Sequence, residues 1–533
     1  MKKGIKILII VFSIQFAYGQ SFNGFALYNA QGDNTTYLID ENQNQAHEWV
    51  MNSECNYTVQ LKKNGNLVRG TKNNGNILNG AASGGKVQEI APDGTIVWEF
   101  IYSDANHLSH HDLTLIGDNV LLTAWEVKTA AEVSAAGYNT NSDKWPTHFI
   151  ELAPDGNGGA NIVWEWHIWD HLCQDVDPNK PNYVSNISDH PELININMIQ
   201  SQGGGGGPGG GCGGGDWFHV NGVDYNEELD QIVFSSRFAS EIYIIDHSTT
   251  TAEAATHSGG NSGMGGDILY RWGNPSNYGM FGPQVIPNAV HDARWITNDG
   301  RPNSGFLQIF NNSGISNNQS TIDGIETPWD SATNTYLRTP GQPFDPLNYT
   351  TRYECGYGSS SGQSASDRMS NGNIYVNTSG GGPGANSGAG VMYEVDSLGN
   401  LVWGPLGAQS QKGFRYECDY PGIIALQPYI NTATTTCFQG TSIHDTKMKL
   451  ELSIFPNPTS SEINIELEYN QKNSVTIGLY NFIGQEIFTK ELNQSSGFLK
   501  ENISLTDLSD GMYFVKIMDN SRILSSNKIS YIK

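Results

Sequence analysis

Positive charge is scarce in this chain. Its 533 residues carry 29 Lys and Arg against 54 Asp and Glu, a formal charge of −25. That balance argues against a nucleic-acid partner, because binding a phosphate backbone depends on cationic side chains. Charge of either sign is thin, at 16% of residues, so a local cluster of Arg and His would be an electropositive island suited to an anionic ligand. Long apolar runs are missing as well. The one near the N-terminus, Ile7 to Phe16, is too short to span a bilayer. Lys2, Lys3 and Lys6 precede it and small residues lead to Gly19-Gln20, which reads as a signal peptide over 1–19, leaving no transmembrane segment once removed. The cysteines are few: Cys55, Cys173, Cys212, Cys355, Cys418 and Cys437. Their spacing excludes a zinc finger, and an exported chain allows them to form disulfides. Cys355 and Cys418 each follow Arg-Tyr-Glu, which hints at a shared context and a pair. The glycine tract at 203–215 lacks the Lys-Ser/Thr ending and strand-to-helix setting of a phosphate loop, so it reads as linker or lid. No cofactor signature is present, and none is expected.

What the chain has instead is turns and aromatic strands: 61 Gly, 12 Trp and 24 Tyr. A unit recurs in which an apolar strand, an Asp/Asn-Gly turn and a strand ending in tryptophan follow one another. It reads KVQEIAPDGTIVWEF at 86–100, HFIELAPDGNGGANIVWEW at 148–166 and VMYEVDSLGNLVWGP at 391–405, with looser copies at 35–50 and 241–273. Asp-Gly supplies residues that tolerate positive φ in a tight hairpin. A second hairpin precedes the first in each unit, as in VQLKKNGNLVRGT at 59–71 and HHDLTLIGDNVLLTA at 110–124. Two hairpins per unit of about 40 to 70 residues predict an all-β, six-bladed β-propeller over 20–440. The N-terminal strands at 23–50 would close the ring with strands from about 414 to 430. Residues 126–147, 167–216 and 311–364 read as insertions and 441–452 as a linker. From 453 to 533 short alternating strands predict a small C-terminal β-sandwich. Trp98, Trp164, Trp272 and Trp403 recur at one position and read as core packing.

The chemistry gathers in the leading hairpins, three of which open with histidine: His111-Asp112, His219-Val220-Asn221 and His291-Asp292. Innermost propeller strands line one axis, so these imidazoles are expected to converge on it together with Arg237, which ends the strand after His219. His219 and Asn221 share strand parity and should face the same side. Arg offers a planar fork of donors matched to a tetrahedral oxyanion. Metal binding fits poorly: His107, His110 and His111 have helical spacing at the start of a strand, and His167 with His171 reads as the surface of an insertion.

The stretches HHDLTLIGDNVLLTA, WFHVNGVDYNEELDQIVFSSRFASEIYIID and AVHDARWITNDG followed by FLQIFNN resemble the bacterial arylsulfate sulfotransferases, propeller enzymes that move sulfate without a nucleotide donor. The resemblance implies that His291 is the nucleophile, forming a sulfohistidine, with His219, Arg237, His111 and Asn221 around the sulfuryl oxygens. It implies small-molecule partners, an aryl sulfate donor and a phenolic acceptor. Thr378 is the substrate-binding candidate from a later blade, and His219 and His111 are the candidate bases for the acceptor proton. Phe455-Pro456-Asn457-Pro458 and Gly511-Met512-Tyr513-Phe514-Val515 resemble the sorting domain of the type IX secretion system, which implies export across both membranes to the surface or medium. The alternative reading is a non-catalytic surface propeller that binds sulfated or anionic glycans with the same donors.

Overall fold

Strands account for nearly all the regular structure of a computed structural model of the chain. It describes residues 20–438 except 31, 140–141, 200–214, 381–388 and 409, and residues 451–533 except 470–474, 482–485, 493–496, 507 and 520–521. The expected signal peptide, most of the glycine tract and most of the expected linker lie outside the described residues. The chain divides into two compact units, Met1–Gln439 and Gly440–Lys533.

The first unit contains six four-stranded antiparallel sheets in succession. The second sheet, Cys55–Leu61, Leu67–Lys72, Gly85–Ile90 and Ile96–Ile101, shows the pattern, with one hairpin turning at Asp93-Gly94, where Gly94 has φ +88°. The third runs from His107–Ile116 to Ala160–His167, the fourth from Val220–Asn226 to Ile268–Trp272 and the sixth from Ala365–Arg368 to Leu401–Gly407. The first sheet takes Gly24–Ala30, Thr35–Ile39 and Gln45–Val50 and completes itself with Ser410–Glu417 from far along the chain. The completing strand therefore lies slightly before the expected 414–430, and Pro421–Leu426 beyond it is helical. The stretch 311–364 is not wholly an insertion: Gln319–Ile325 and Thr351–Glu354 are the third and fourth strands of the fifth sheet. The Asp323-Gly324 pair lies inside a strand, no short turn joins the two strands and no tryptophan ends the second, which hid them.

Alternation along each strand explains how the sheets stack. Ile232 and Phe234 face the third sheet in one buried cluster, whereas Val233 between them faces the fifth in another. Each consecutive pair of sheets shares such a cluster, and Trp403 and Met392 of the sixth share one with Ala26 and Ile39 of the first. The recurrent tryptophans also clamp. Four indole N–H groups donate to the following sheet, or to the loop packed on it: Trp49 to Ala91 O, Trp164 to Thr249 Oγ1, Trp272 to Pro346 O and Trp403 to Glu41 O, whereas Trp98 donates to Glu89 of its own sheet.

At the opposite edge, the first strands are stitched by carboxylates. Asp112 accepts Val223 N at 2.8 Å, Asp224 accepts Trp295 N at 2.9 Å and Asp292 accepts Ser366 N at 2.9 Å. Lys412, from the strand that completes the first sheet, spans two of them, with Nζ 2.5 Å from Asp112 and 2.9 Å from Asp292. All three side chains are buried. The second unit pairs a three-stranded and a four-stranded sheet over one core that includes Ile463, Ile465, Ile477, Val515 and Ile529.

Cys418 pairs with Cys437, not with Cys355. Cys355 is a buried free thiol beside Phe310 and Tyr393, so its shared Arg-Tyr-Glu prefix carried no pairing information. Cys55 and Cys173 are likewise buried and free, and Cys212 lies outside the described residues.

Two outcomes follow from this packing. Replacing Cys418 and Cys437 together with Ser should lower unfolding stability by about 3 kcal/mol, the loop-closure entropy of a bridge of this span, as read by denaturant titration. Lys412→Met strands two buried carboxylates and should cost about 3 to 5 kcal/mol in the same measurement.

Candidate functional site

The three histidines stand where their strands are irregular. Pairing registers slip between Ser109 and Leu113, between Val220 and Gly222, and between His291 and Arg294. Bulges of this kind re-aim side chains beside functional sites. His111, His219, Ala289 and Asp292 have φ of +47°, +53°, +56° and +53°, a conformation that non-glycine residues rarely hold without support. The strict alternation expected for His219 and Asn221 therefore does not run through this segment. Gly222 lets the neighbouring strand in, since a Cβ there would meet Asp292 N at 2.7 Å.

His291 is 1% exposed. Its Nδ1 lies 2.8 Å from Ala289 O and 2.7 Å from Asn312 Oδ1. Asn312 is oriented by donating Nδ2 to Ser360 O and Gln363 O. With two acceptors at Nδ1, the proton resides there, and Nε2 is left with a lone pair. That lone pair accepts the main-chain N–H of Gln363 at 3.0 Å. His219 is fixed differently. Its Nδ1 sits 2.5 Å from Asp216 Oδ2, while the other Asp216 oxygen receives His219 N and Trp125 Nε1. His111 packs edge to face on His219 with centroids 4.6 Å apart, and its Nδ1 is 2.8 Å from Nδ1 of His110, which stacks on Trp125. Arg237 follows its strand directly, and its N donates to His219 O at 3.1 Å. Its guanidinium reaches the loop above, where a Cβ on Gly362 would stand 3.3 Å from Nη1.

Two expected residues sit otherwise. Asn221 is fully buried, and its amide holds the frame: Nδ2 donates to Val290 O and Oδ1 accepts from Ser235. Thr378 is engaged with main-chain Val391, accepting its N–H at 3.1 Å. Ser379, on the other parity, donates to Gly362 O at 2.6 Å and so supports the loop 359–364 over His291. Asp216, Asn312, Gln363 and Lys412 were not singled out in the sequence. Asp216 immediately precedes WFHVNG and Asn312 ends FLQIFNN, strings that carried the histidine and the family likeness. Gln363 acts through its backbone, and a lone Lys412 has no sequence signal.

Burial sets the protonation of this cluster. His291 is held well below the usual histidine range by desolvation and then by the Arg237 charge. His111 is lowered by desolvation and by the neighbouring His219, His110, His291 and Lys412. His110 falls to about 3, chiefly by desolvation, and buried His148 outside the cluster is lowered for the same reason. Neutral imidazoles are thus presented at neutral pH. A group with a depressed folded value binds its proton more readily when unfolded, so its stabilisation is present above about 6.5 and is lost as pH falls below it. Each contributes at most about 1.4 kcal/mol per pH unit. Asp224, raised to about 6 by burial, and Asp367, also raised, offset part of this because the folded state then takes up their protons. His167 and His247 are raised despite burial by their carboxylate partners and act only above about 6.5, where stability falls as pH rises. The melting temperature should therefore drop between pH 6.5 and 5, and His148→Gln should flatten that slope in calorimetric scans.

Comparison with known proteins assigns the chain to a family. Residues 14–326 match the arylsulfotransferase (ASST) family model and 453–531 match the secretion system C-terminal sorting domain. No curated protein matches. Solved structures resemble the chain weakly. Hydrazine synthase of Kuenenia stuttgartiensis shares 12% identity over 56% of this chain and 67% of that one, with a TM-score of 0.32. The Dos1 propeller shares 12% over 74% and 86%, with a TM-score of 0.30. Apo AztD of Citrobacter koseri shares 8% over 91% and 99%, with a TM-score of 0.29. With histidines 111, 219 and 291, Asn221 and Arg237 all inside the matched span, the chain belongs to the arylsulfotransferase family and is an aryl-sulfate sulfotransferase carrying a tail that directs it to the cell surface or beyond.

Proposed function

We propose that the first unit is a closed six-bladed propeller, the second a sorting β-sandwich, and that the enzyme passes a sulfuryl group from a phenolic sulfate ester to a phenol in two steps through a sulfohistidine at His291. The observation that carries this is the state of His291, a buried neutral imidazole with its proton pinned at Nδ1 and its lone pair at Nε2. In the first step Nε2 attacks sulfur, an N–S bond forms, the S–O bond to the aryl oxygen breaks, and the phenolate leaves with the electron pair. Covalent catalysis of this kind divides one hard transfer into two easier ones. Arg237 faces the charge that builds on the sulfuryl oxygens, and one such preset donor is worth about 2.7 to 4 kcal/mol. In the second step the acceptor phenol attacks sulfur and yields its proton to a base, and His291 is restored.

Of the two candidate bases, the geometry favours His219. Asp216 at Nδ1 fixes the tautomer in which Nε2 carries the lone pair, and it stabilises the cation formed when that ring takes a proton. His111 instead shares a nitrogen-to-nitrogen contact with His110. Before either step the segment 359–364 has to withdraw, because Gln363 N–H occupies the attacking lone pair. Asn221 acts through the frame it holds, and Thr378 drops from the binding set in favour of Ser379 as a loop anchor. The Lys412 bridge keeps Asp112 and Asp292, each next to a site histidine, from repelling one another.

The test is phenol-dependent release of nitrophenolate from 4-nitrophenyl sulfate by the purified chain without nucleotide. Transfer should occur with a transient mass gain of one sulfuryl group on the peptide containing His291. His291→Asn should lose about a thousandfold or more, Arg237→Ala about a hundredfold to a thousandfold, and Asp216→Asn about a hundredfold. Full transfer by His291→Asn would overturn the nucleophile, and retention of aryl sulfate without turnover by the wild type would favour a binding propeller.

A further inference from the structure

His171, His257 and Asp267 come together away from the strands that carry the transfer site. His171 follows the short 3-10 turn Ile168–Asp170, His257 follows the helix Thr251–Ala254, and Asp267 immediately precedes the strand Ile268–Trp272. One potential ligand atom from each lies within 4.8 Å of the others. The i, i+4 relation of His167 and His171 suggested a loop surface, yet His171 is fully buried, its ring stacked parallel on Trp166 at 5.5 Å. Gly266 makes room for it, since a Cβ there would stand 2.5 Å from His171 Nε2 and 2.0 Å from Ala254 O.

The hydrogen-bond directions are informative. His171 Nε2 lies 2.8 Å from Ala254 O, a pure acceptor, so that nitrogen carries a proton. Its Nδ1 lies 2.8 Å from Asp267 Oδ1, and His257 Nδ1 lies 2.7 Å from the same oxygen. In a neutral His171 the Nδ1 lone pair would face a carboxylate, acceptor against acceptor, in a buried place. A positive charge between them resolves this, either as a second proton on the imidazole or as a metal ion. Histidines that bind metal commonly give their other ring N–H to a main-chain carbonyl, which fixes the tautomer as Ala254 does here.

We propose that His171 Nδ1, His257 and Asp267 bind one zinc ion per chain, with the fourth position open to water on the side of His257. Two imidazoles and a carboxylate suit zinc, a borderline-soft ion with tetrahedral preference. Zinc–ligand bonds of about 2.0 to 2.1 Å place neighbouring ligand atoms roughly 3.4 Å apart. The contacts of 2.7 and 2.8 Å therefore have to open by about 0.6 to 0.7 Å. His257, whose side chain is 62% exposed, is free to swing by that much, while buried His171 and Asp267 have to draw apart by the same order. The ion would tie the segment after the third sheet to the long connection before the last strand of the fourth.

The experiment uses the untagged full chain, stripped with a chelator, dialysed against zinc chloride and measured for metal content. A parallel sample is titrated with cobalt(II), whose visible absorption is intense in four-coordinate sites. One zinc per chain and such a cobalt spectrum are expected. His257→Ala, an exposed position that folding tolerates, should weaken zinc at least tenfold, and Asp267→Asn should do the same. Failure of the wild type to retain zinc, or equal retention by wild type and both variants, overturns the site and leaves a protonated His171 against Asp267.

Discussion

The bridge from Lys412 to Asp112 and Asp292 is the constraint on which the rest of the first unit turns. Its two carboxylates belong to the third and fifth sheets, and the lysine to a strand some three hundred residues from Asp112. Each carboxylate also accepts a backbone N–H from the first strand of the next sheet. Removing water from three charged groups is expensive, and the arrangement holds because nearly every acceptor is satisfied. Arg294 adds a further donor to Asp292 at 2.9 Å. The residues next to those aspartates in sequence are His111 and His291, so the network that fixes the strands also fixes where the imidazoles emerge.

Beside that network, desolvation deprives His111 and His291 of protons, His219 keeps a carboxylate partner in Asp216, and Arg237 is the cation held near His291. The region around His291 thus offers an anion one guanidinium and several directional dipoles. Preset dipoles in a dry place stabilise developing charge without reorganising. The strain in four left-handed residues around the cluster is sustained by the hydrogen bonds described for Asn221, Asn312 and Asp216.

Much of this was legible in the sequence. The tryptophan-ending hairpins marked five units, and histidine at a common register marked the strands that carry the chemistry. The family strings located His111, His219, Asn221, Arg237 and His291, and all but Asn221 gather with ring or guanidinium toward one cluster. What escaped notice has a common physical origin. Gln363 contributes a main-chain N–H, which any residue but proline supplies. Lys412 matters through distant partners, and a bulge leaves no mark in residue type, so the parity argument at His219 and Asn221 misled. Thr378 and Ser379 differ by one position, which in a strand is the difference between two faces. Gln319–Ile325 and Thr351–Glu354 were hidden because strand pairing over a long connection shows no local periodicity.

The cap on His291 deserves a different vocabulary, that of heredity. Because the donor is backbone, any substitution at 363 other than proline leaves it in place, and selection cannot adjust the cap on His291 by exchanging that side chain. It can act only on the anchors that hold the segment, Ser360, Asn312 and Ser379. The ease with which His291 is uncovered is therefore inherited through residues that hold the segment rather than through the one that caps the ring.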